Sequence, residues 1–147
     1  MIKIKNVAVV ICLAAVILSW YPAAAADWGI RGLLPRGTGY YDKESIKKVA
    51  KNIVQVWIVT ILNEKGKADV FSMLQKQGKA PGNPAILSQE LILLEFDCAS
   101  AKYRIAAMDI YDENGNVLLS ETDIKDPWHD IIPLSINEKL KDLVCRK

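Results

Sequence analysis

From Ile53 the chain is apolar at both parities: Ile53, Gln55, Trp57, Val59 and Ile61 alternate with Val54, Val56, Ile58, Thr60 and Leu62. A run this rich in β-branched residues predicts a strand that is apolar on both faces. Ile86 to Cys98 is the longest strand candidate. Its even positions include Ile92, Leu94, Phe96 and Cys98, and its odd positions include Leu87, Leu91, Leu93, Glu95 and Asp97. The face carrying the cysteine is therefore the predicted core face near the strand's end. Tyr103 to Tyr111 and Val117 to Glu121 flank Asp112 to Asn116, where Asn114-Gly115 tolerates the positive φ of a tight hairpin. This pattern is an antiparallel meander. Between the first two strands, Glu64 to Lys67 reads as a turn. Ala68 to Gln77, with Val70, Phe71, Met73 and Leu74, reads as a short helix ended by Gly78 to Pro84.

At the C-terminal end, Ser135 and Glu138 form a Ser-x-x-Glu capping box. The helix it opens places Ile136, Leu140, Leu143 and Val144 on one face, suited to packing on a sheet. At about 100° per residue, Cys145 points away from that face, so the last turn of a docked helix is expected to unwind or bend before Cys145. Trp28 to Gly39 is rich in Gly and Pro and reads as an irregular lead-in with room for a short edge strand. It is followed by a polar stretch from Lys43 to Lys51. The mature chain has no internal repeat and no low-complexity segment.

The first 26 residues change the charge picture. Lys3 and Lys5 precede an apolar run from Val7, and Ala24-x-Ala26 has the small-x-small form of a signal peptidase site. The apolar run is shorter than the roughly 20 residues a membrane span needs. Residues 1–26 are thus expected to be a signal peptide and 27–147 a single exported domain beginning at Asp27, with no integral membrane segment after cleavage. Cys12 lies inside the apolar run and lacks the setting of a lipidated cysteine. The whole chain has 19 Lys+Arg against 17 Asp+Glu, and losing Lys3 and Lys5 leaves the two signs equal in number. A neutral domain lacks the basic face that a nucleic-acid backbone demands. Cleavage also leaves Cys98 and Cys145 as an even pair in an oxidising compartment, where one disulfide is the natural reading. Two buried free thiols compete with it. A metal site is weaker, because His129 is the one imidazole available.

Residues with potential chemistry are few. His129 lies between Trp128 and Asp130 without a glycine elbow or other nucleophile motif, and reads as a surface histidine beside an anchoring tryptophan. Glu95 and Asp97 share a strand face and read as a solvated strand edge rather than an acid–base pair. Asp112-x-Asn114-x-Asn116 with Asp123 imitates a calcium loop. However, Val117 occupies the position that needs glycine, and the closing residue is not the bidentate Glu. Gly37-Thr38-Gly39 lacks the rest of a phosphate loop and reads as a linker. Trp28, Tyr40, Tyr41, Trp57, Tyr103, Tyr111 and Trp128 offer a binding face, although most are expected to fill the core or cover sheet edges.

The order of landmarks resembles the surface-adhesin protein E family. They are Tyr40-Tyr41-Asp42 with Ser45-Ile46, Val56-Trp57, Glu95-Phe96-Asp97-Cys98, and Tyr111-Asp112 with Gly115-Asn116-Val117. Trp128, Ile132-Pro133 and Ser135 follow, and the chain closes on Leu143-Val144-Cys145. The resemblance covers nearly all of the mature chain. It implies an α+β fold: a single antiparallel sheet of about six strands, with the C-terminal helix packed on one face and tied by the Cys98–Cys145 disulfide. It also implies binding to extracellular-matrix and plasma proteins at the cell surface, in the periplasm or outside the cell. No catalytic residue, cofactor or metal is expected, a homodimer is allowed, and the binding surface is not assigned. The alternative is a periplasmic binding or envelope-assembly module without adhesin activity.

Overall fold

The computed structural model describes residues 26–146, so the predicted signal segment, apart from Ala26, lies outside the described residues. The sheet's main path runs through β1 (Trp28–Leu34), β2 (Gly37–Asp42), β4 (Ile53–Leu62), β5 (Leu87–Asp97), β6 (Lys102–Asp112) and β7 (Val117–Glu121). Two short strands add to it. β3 (Lys47–Ala50) pairs with β4, and β8 (His129–Asp130) pairs with β6, giving eight strands where about six were expected. Every pairing is antiparallel. Two helices complete the fold, α1 (Glu64–Lys76) and α2 (Ile136–Val144). Among the described residues no helix is long and apolar enough to cross a membrane.

The Gly-rich lead-in is a hairpin rather than an irregular segment, and Gly37-Thr38-Gly39 is the start of β2, not a linker. The glycine at position 37 is dictated by contact: its φ is +152°, and a Cβ there would lie 1.9 Å from the Ile61 carbonyl oxygen. The supposed turn from Glu64 to Lys67 is the first turn of α1, because Asn63 caps it by accepting from the Gly66 N–H at 2.9 Å.

Both helices pack on the same side of the sheet. Strand register places Val54, Val56 and Ile58 beside Phe96, Leu94 and Ile92. Leu140 and Val144 of α2 close over Val54, Val56, Ile58, Leu94 and Phe96. Val70 and Leu74 of α1 cover Leu62, Leu87, Ile110 and Leu119. Removing each such aliphatic side chain from water contributes about 1.5–3 kcal/mol. Toward the end of β5 the even positions Ile92, Leu94 and Phe96 face the core, as the pattern indicates, while a register shift between Leu87 and Gln89 turns the odd-position Leu87 to the same side.

The Ser135 cap of α2 forms as the sequence indicates, with the Glu138 return bond made one residue earlier, to Leu134, because the Ser135 N–H donates to the Ile132 carbonyl. Ser135 Oγ accepts from the Glu138 N–H at 3.2 Å, while the Glu138 carboxylate accepts from the Leu134 N–H. The docked face is turned from the one expected. Ile136, Leu140 and Val144 face the sheet, and Leu143 remains exposed. The last turn does not unwind before Cys145: Cys145 keeps helical dihedrals, and its N–H donates to the Lys141 carbonyl at 2.8 Å. The disulfide to Cys98 is formed, with a Cα–Cα distance of 5.7 Å.

Candidate functional site

Because side chains alternate across a strand, placing both helices on one side leaves the other face of the sheet free of helices. Register assigns that open face row by row. One row is Ile30, Tyr40, Val59 and Leu91; the next is Leu33, Thr38, Ile61 and Gln89. Trp57 and Leu93 form a third row, joined by Ala107 of β6. At the β1 corner the surface is strongly apolar, with Trp28, Ile30, Leu33 and Ile61 exposed by 41%, 76%, 86% and 43%. Contiguous apolar exposure of this kind marks interaction surfaces rather than ordinary surface.

The other half of the face is polar and ordered. Glu95 accepts from Gln55 Nε2 at 2.7 Å and from Arg104 Nε at 2.6 Å, so one carboxylate joins three strands. The Arg104 guanidinium lies 4.5 Å from the centre of the Trp128 ring, a cation–π contact. An apolar corner beside fixed Arg and Trp side chains has the composition of protein-binding surfaces, where Trp, Tyr and Arg carry most of the energy.

The aromatic residues divide between the two sides of the sheet. Trp28, Tyr40, Trp57 and Tyr111 belong to the open face, and Trp128 stacks beside Arg104. Tyr41 and Tyr103 pack against the cluster under α2. Burial, with the neighbouring Asp109, raises the Tyr111 phenol above its usual range. Strand parity separates the two aromatic groups, but it names the open face only once the helices have been placed.

Glu95 and Asp97 are not a solvated edge. Their strand is central, Glu95 is buried and paired, and Asp97 is committed to the turn after β5. Its carboxylate takes the Ser100 hydroxyl at 2.7 Å and the Ala99 N–H at 2.9 Å, and these bonds hold it below the usual aspartate range. The calcium-like run is a hairpin, as expected. Asp112 accepts from the Asn114 N–H, the Asn116 N–H and Asn116 Nδ2, which occupies its oxygens within the turn. His129 Nε2 lies 2.9 Å from Asp126 Oδ1, and the other Asp126 oxygen accepts from the Ile105 N–H at 2.8 Å. The imidazole also rests 5.5 Å from the Tyr103 ring centre, so this histidine and carboxylate clip the 122–130 segment onto β6. Among the described residues, no three His, Cys, Asp or Glu side chains gather as metal ligands.

Comparison with protein families finds that the family described as Surface-adhesin protein E matches residues 34–146. Among solved structures, protein E from non-typeable Haemophilus influenzae is similar at 17% identity and a TM-score of 0.54, over 84% of this chain and 79% of that one. A selenomethionine form of Haemophilus influenzae protein E is similar at 17% identity and a TM-score of 0.50, over 73% of this chain and 78% of that one. At this identity the likeness concerns the fold alone. Comparison with curated proteins finds no match.

Proposed function

Because the chain belongs to the surface-adhesin protein E family, we propose that it is an exported, non-enzymatic protein that binds other proteins through the helix-free face of its sheet. The observation that carries this reading is the clustering of Trp28, Ile30, Leu33 and Ile61 as exposed apolar side chains on one corner of one face. Extracellular-matrix or plasma proteins are the partner class suggested by the family, with the protein on the cell surface, outside the cell or in the periplasm. The outer edge of β1 offers unpaired backbone groups and is a route to self-association.

The test presents purified mature protein to immobilised matrix and plasma proteins, with Ile30→Thr/Leu33→Thr as the open-face variant. Both side chains are exposed, so melting should be unchanged while retention falls tenfold or more. Equal retention by the variant would move the site elsewhere. Retention of no protein at all would favour the periplasmic binding or assembly module. Labelling intact cells with a non-permeant reagent separates surface display from periplasmic residence, and light scattering reads the oligomeric state.

A further inference from the structure

Between α1 and α2 the helix side of the sheet is not fully roofed, and a cleft of about 370 Å³ remains there. This lies within the range of about 300–1,000 Å³ typical of small-molecule sites. Ile58, Ile92, Leu94 and Ile105 give it an apolar floor, while the β1–β2 hairpin and the start of α1 bring charged groups to its rim.

Most of those charges are matched. Arg36 Nη2 lies 3.1 Å from Glu90 Oε2, and Lys65 Nζ lies 2.8 Å from Asp69 Oδ2. Arg31 differs. It occupies the bulge of β1 between Ile30 and Gly32, and its guanidinium donates to the neutral Oδ1 of Asn137. Among the described residues no carboxylate lies within ion-pair distance of it. The Nε atoms of Arg31 and Arg36 are both buried without a hydrogen-bond partner, but Arg36 Nε lies 3.8 Å from Asp69 Oδ2, within ion-pair range, whereas Arg31 Nε faces no carboxylate among the described residues. Buried donors in folded proteins are nearly always satisfied, so the orphaned Arg31 N–H at this cleft calls for an acceptor. Burial lowers the Arg31 pKa against the opposing fields of Tyr103 and Glu90, the mark of a cation short of compensation.

We propose that this cleft binds a small amphipathic monocarboxylate, its carboxylate on Arg31 and its apolar body on the isoleucine floor. One surplus cation calls for one negative charge, and the planar guanidinium fork matches a carboxylate. The floor requires the rest of the ligand to be apolar. This site lies on the opposite face from the proposed protein-binding surface and does not depend on it.

The experiment is calorimetric titration of the mature protein with octanoate, octan-1-ol and octylamine. Octanoate should bind one per chain, with octanol weaker by about tenfold or more and octylamine weaker still. Arg31→Gln should cost octanoate about tenfold while leaving octanol unchanged, and Arg31→Lys should restore part of the loss. Amide shifts on octanoate addition should centre on Ile58, Ile92 and Ile105. Absence of binding at millimolar octanoate, equal affinity for acid and alcohol, or shifts confined to the open face would each overturn the proposal. Should Arg31→Gln fail to fold, the wild-type preference for octanoate over octylamine decides the matter. Ile30→Thr/Leu33→Thr should keep full octanoate affinity, so failure of the protein-binding reading and failure of this one are told apart.

Discussion

Asp126 shows how single residues hold the less regular parts of the molecule. Burial would raise its carboxyl, but the Ile105 N–H and the His129 ring outweigh it, and the group sits below the usual aspartate range. A carboxyl depressed in the folded state contributes stability above its unfolded pKa, and that contribution is lost as pH falls through the lower folded value. Urea unfolding across a pH series should therefore show stability falling below about pH 4, and Asp126→Asn should flatten part of that fall. An unchanged acid limb in the variant would count against the clip. Phe96 represents the opposite extreme. It is fully buried under α2, and Phe96→Ala should cost about 3–5 kcal/mol by chemical denaturation, the range for emptying an aromatic site in a packed core.

Two junctions at the scale of elements set the positions of the helices. At α1, the Asn63 N–H donates to the Arg36 carbonyl at 2.9 Å, and Asn63 Nδ2 donates to the Pro35 carbonyl at 3.1 Å. Gly66 completes this fit, because a Cβ there would lie 2.1 Å from the Arg36 carbonyl oxygen. Helix propensity alone favours alanine over glycine by about 1 kcal/mol. Gly66→Ala is nonetheless expected to destabilise by about 1–3 kcal/mol through backbone overlap, read as a lowered melting temperature. A raised melting temperature would show that the turn yields. At α2, the disulfide joins cysteines 47 residues apart. Cys98→Ala/Cys145→Ala should lose up to about 4 kcal/mol in guanidinium unfolding, with helical signal departing first. Coincident midpoints for variant and wild type would show that packing alone seats the helix.

At the scale of the whole molecule, what could be read from sequence divides along physical lines. The apolar parity of Ile53–Leu62, the Asn114-Gly115 turn and the Ser135 cap are local signals, and each produced its element. The β1–β2 hairpin and the first turn of α1 were missed because their glycines look like breaks in isolation. Gly37 and Gly66 are demanded by contacts with Ile61 and Arg36 across the fold. Leu143 falls on the apolar face by spacing yet stays exposed, because helical spacing gives a face but not its rotation. The open face was illegible for the same reason: both parities of β4 are apolar, and only the position of the helices decides which one is covered. The matched Arg36 and the unmatched Arg31 likewise depend on a bulge and a turn that the sequence does not announce. The start of the mature chain is open to direct test. Asp27 is already engaged, its carbonyl accepting from the Lys43 N–H and its carboxylate lying 3.0 Å from Lys43 Nζ. From the Ala24-x-Ala26 pattern, the intact mass of envelope protein is expected to correspond to a chain beginning at Asp27, and retention of Met1 would mean an uncleaved leader.

The one-sided placement of the helices has a consequence for how the sequence can change. Along β4 and β5, adjacent residues answer to different constraints: Val56, Ile58, Leu94 and Phe96 to the volume beneath the helices, and Gln55, Trp57, Leu93 and Glu95 to whatever meets the open face. Substitutions at Trp57 and Leu93 leave the packing of the first set untouched, whereas Glu95 also ties three strands together. One parity of these strands thus holds the scaffold, while the other is where a change of side chain alters recognition at least cost to the fold.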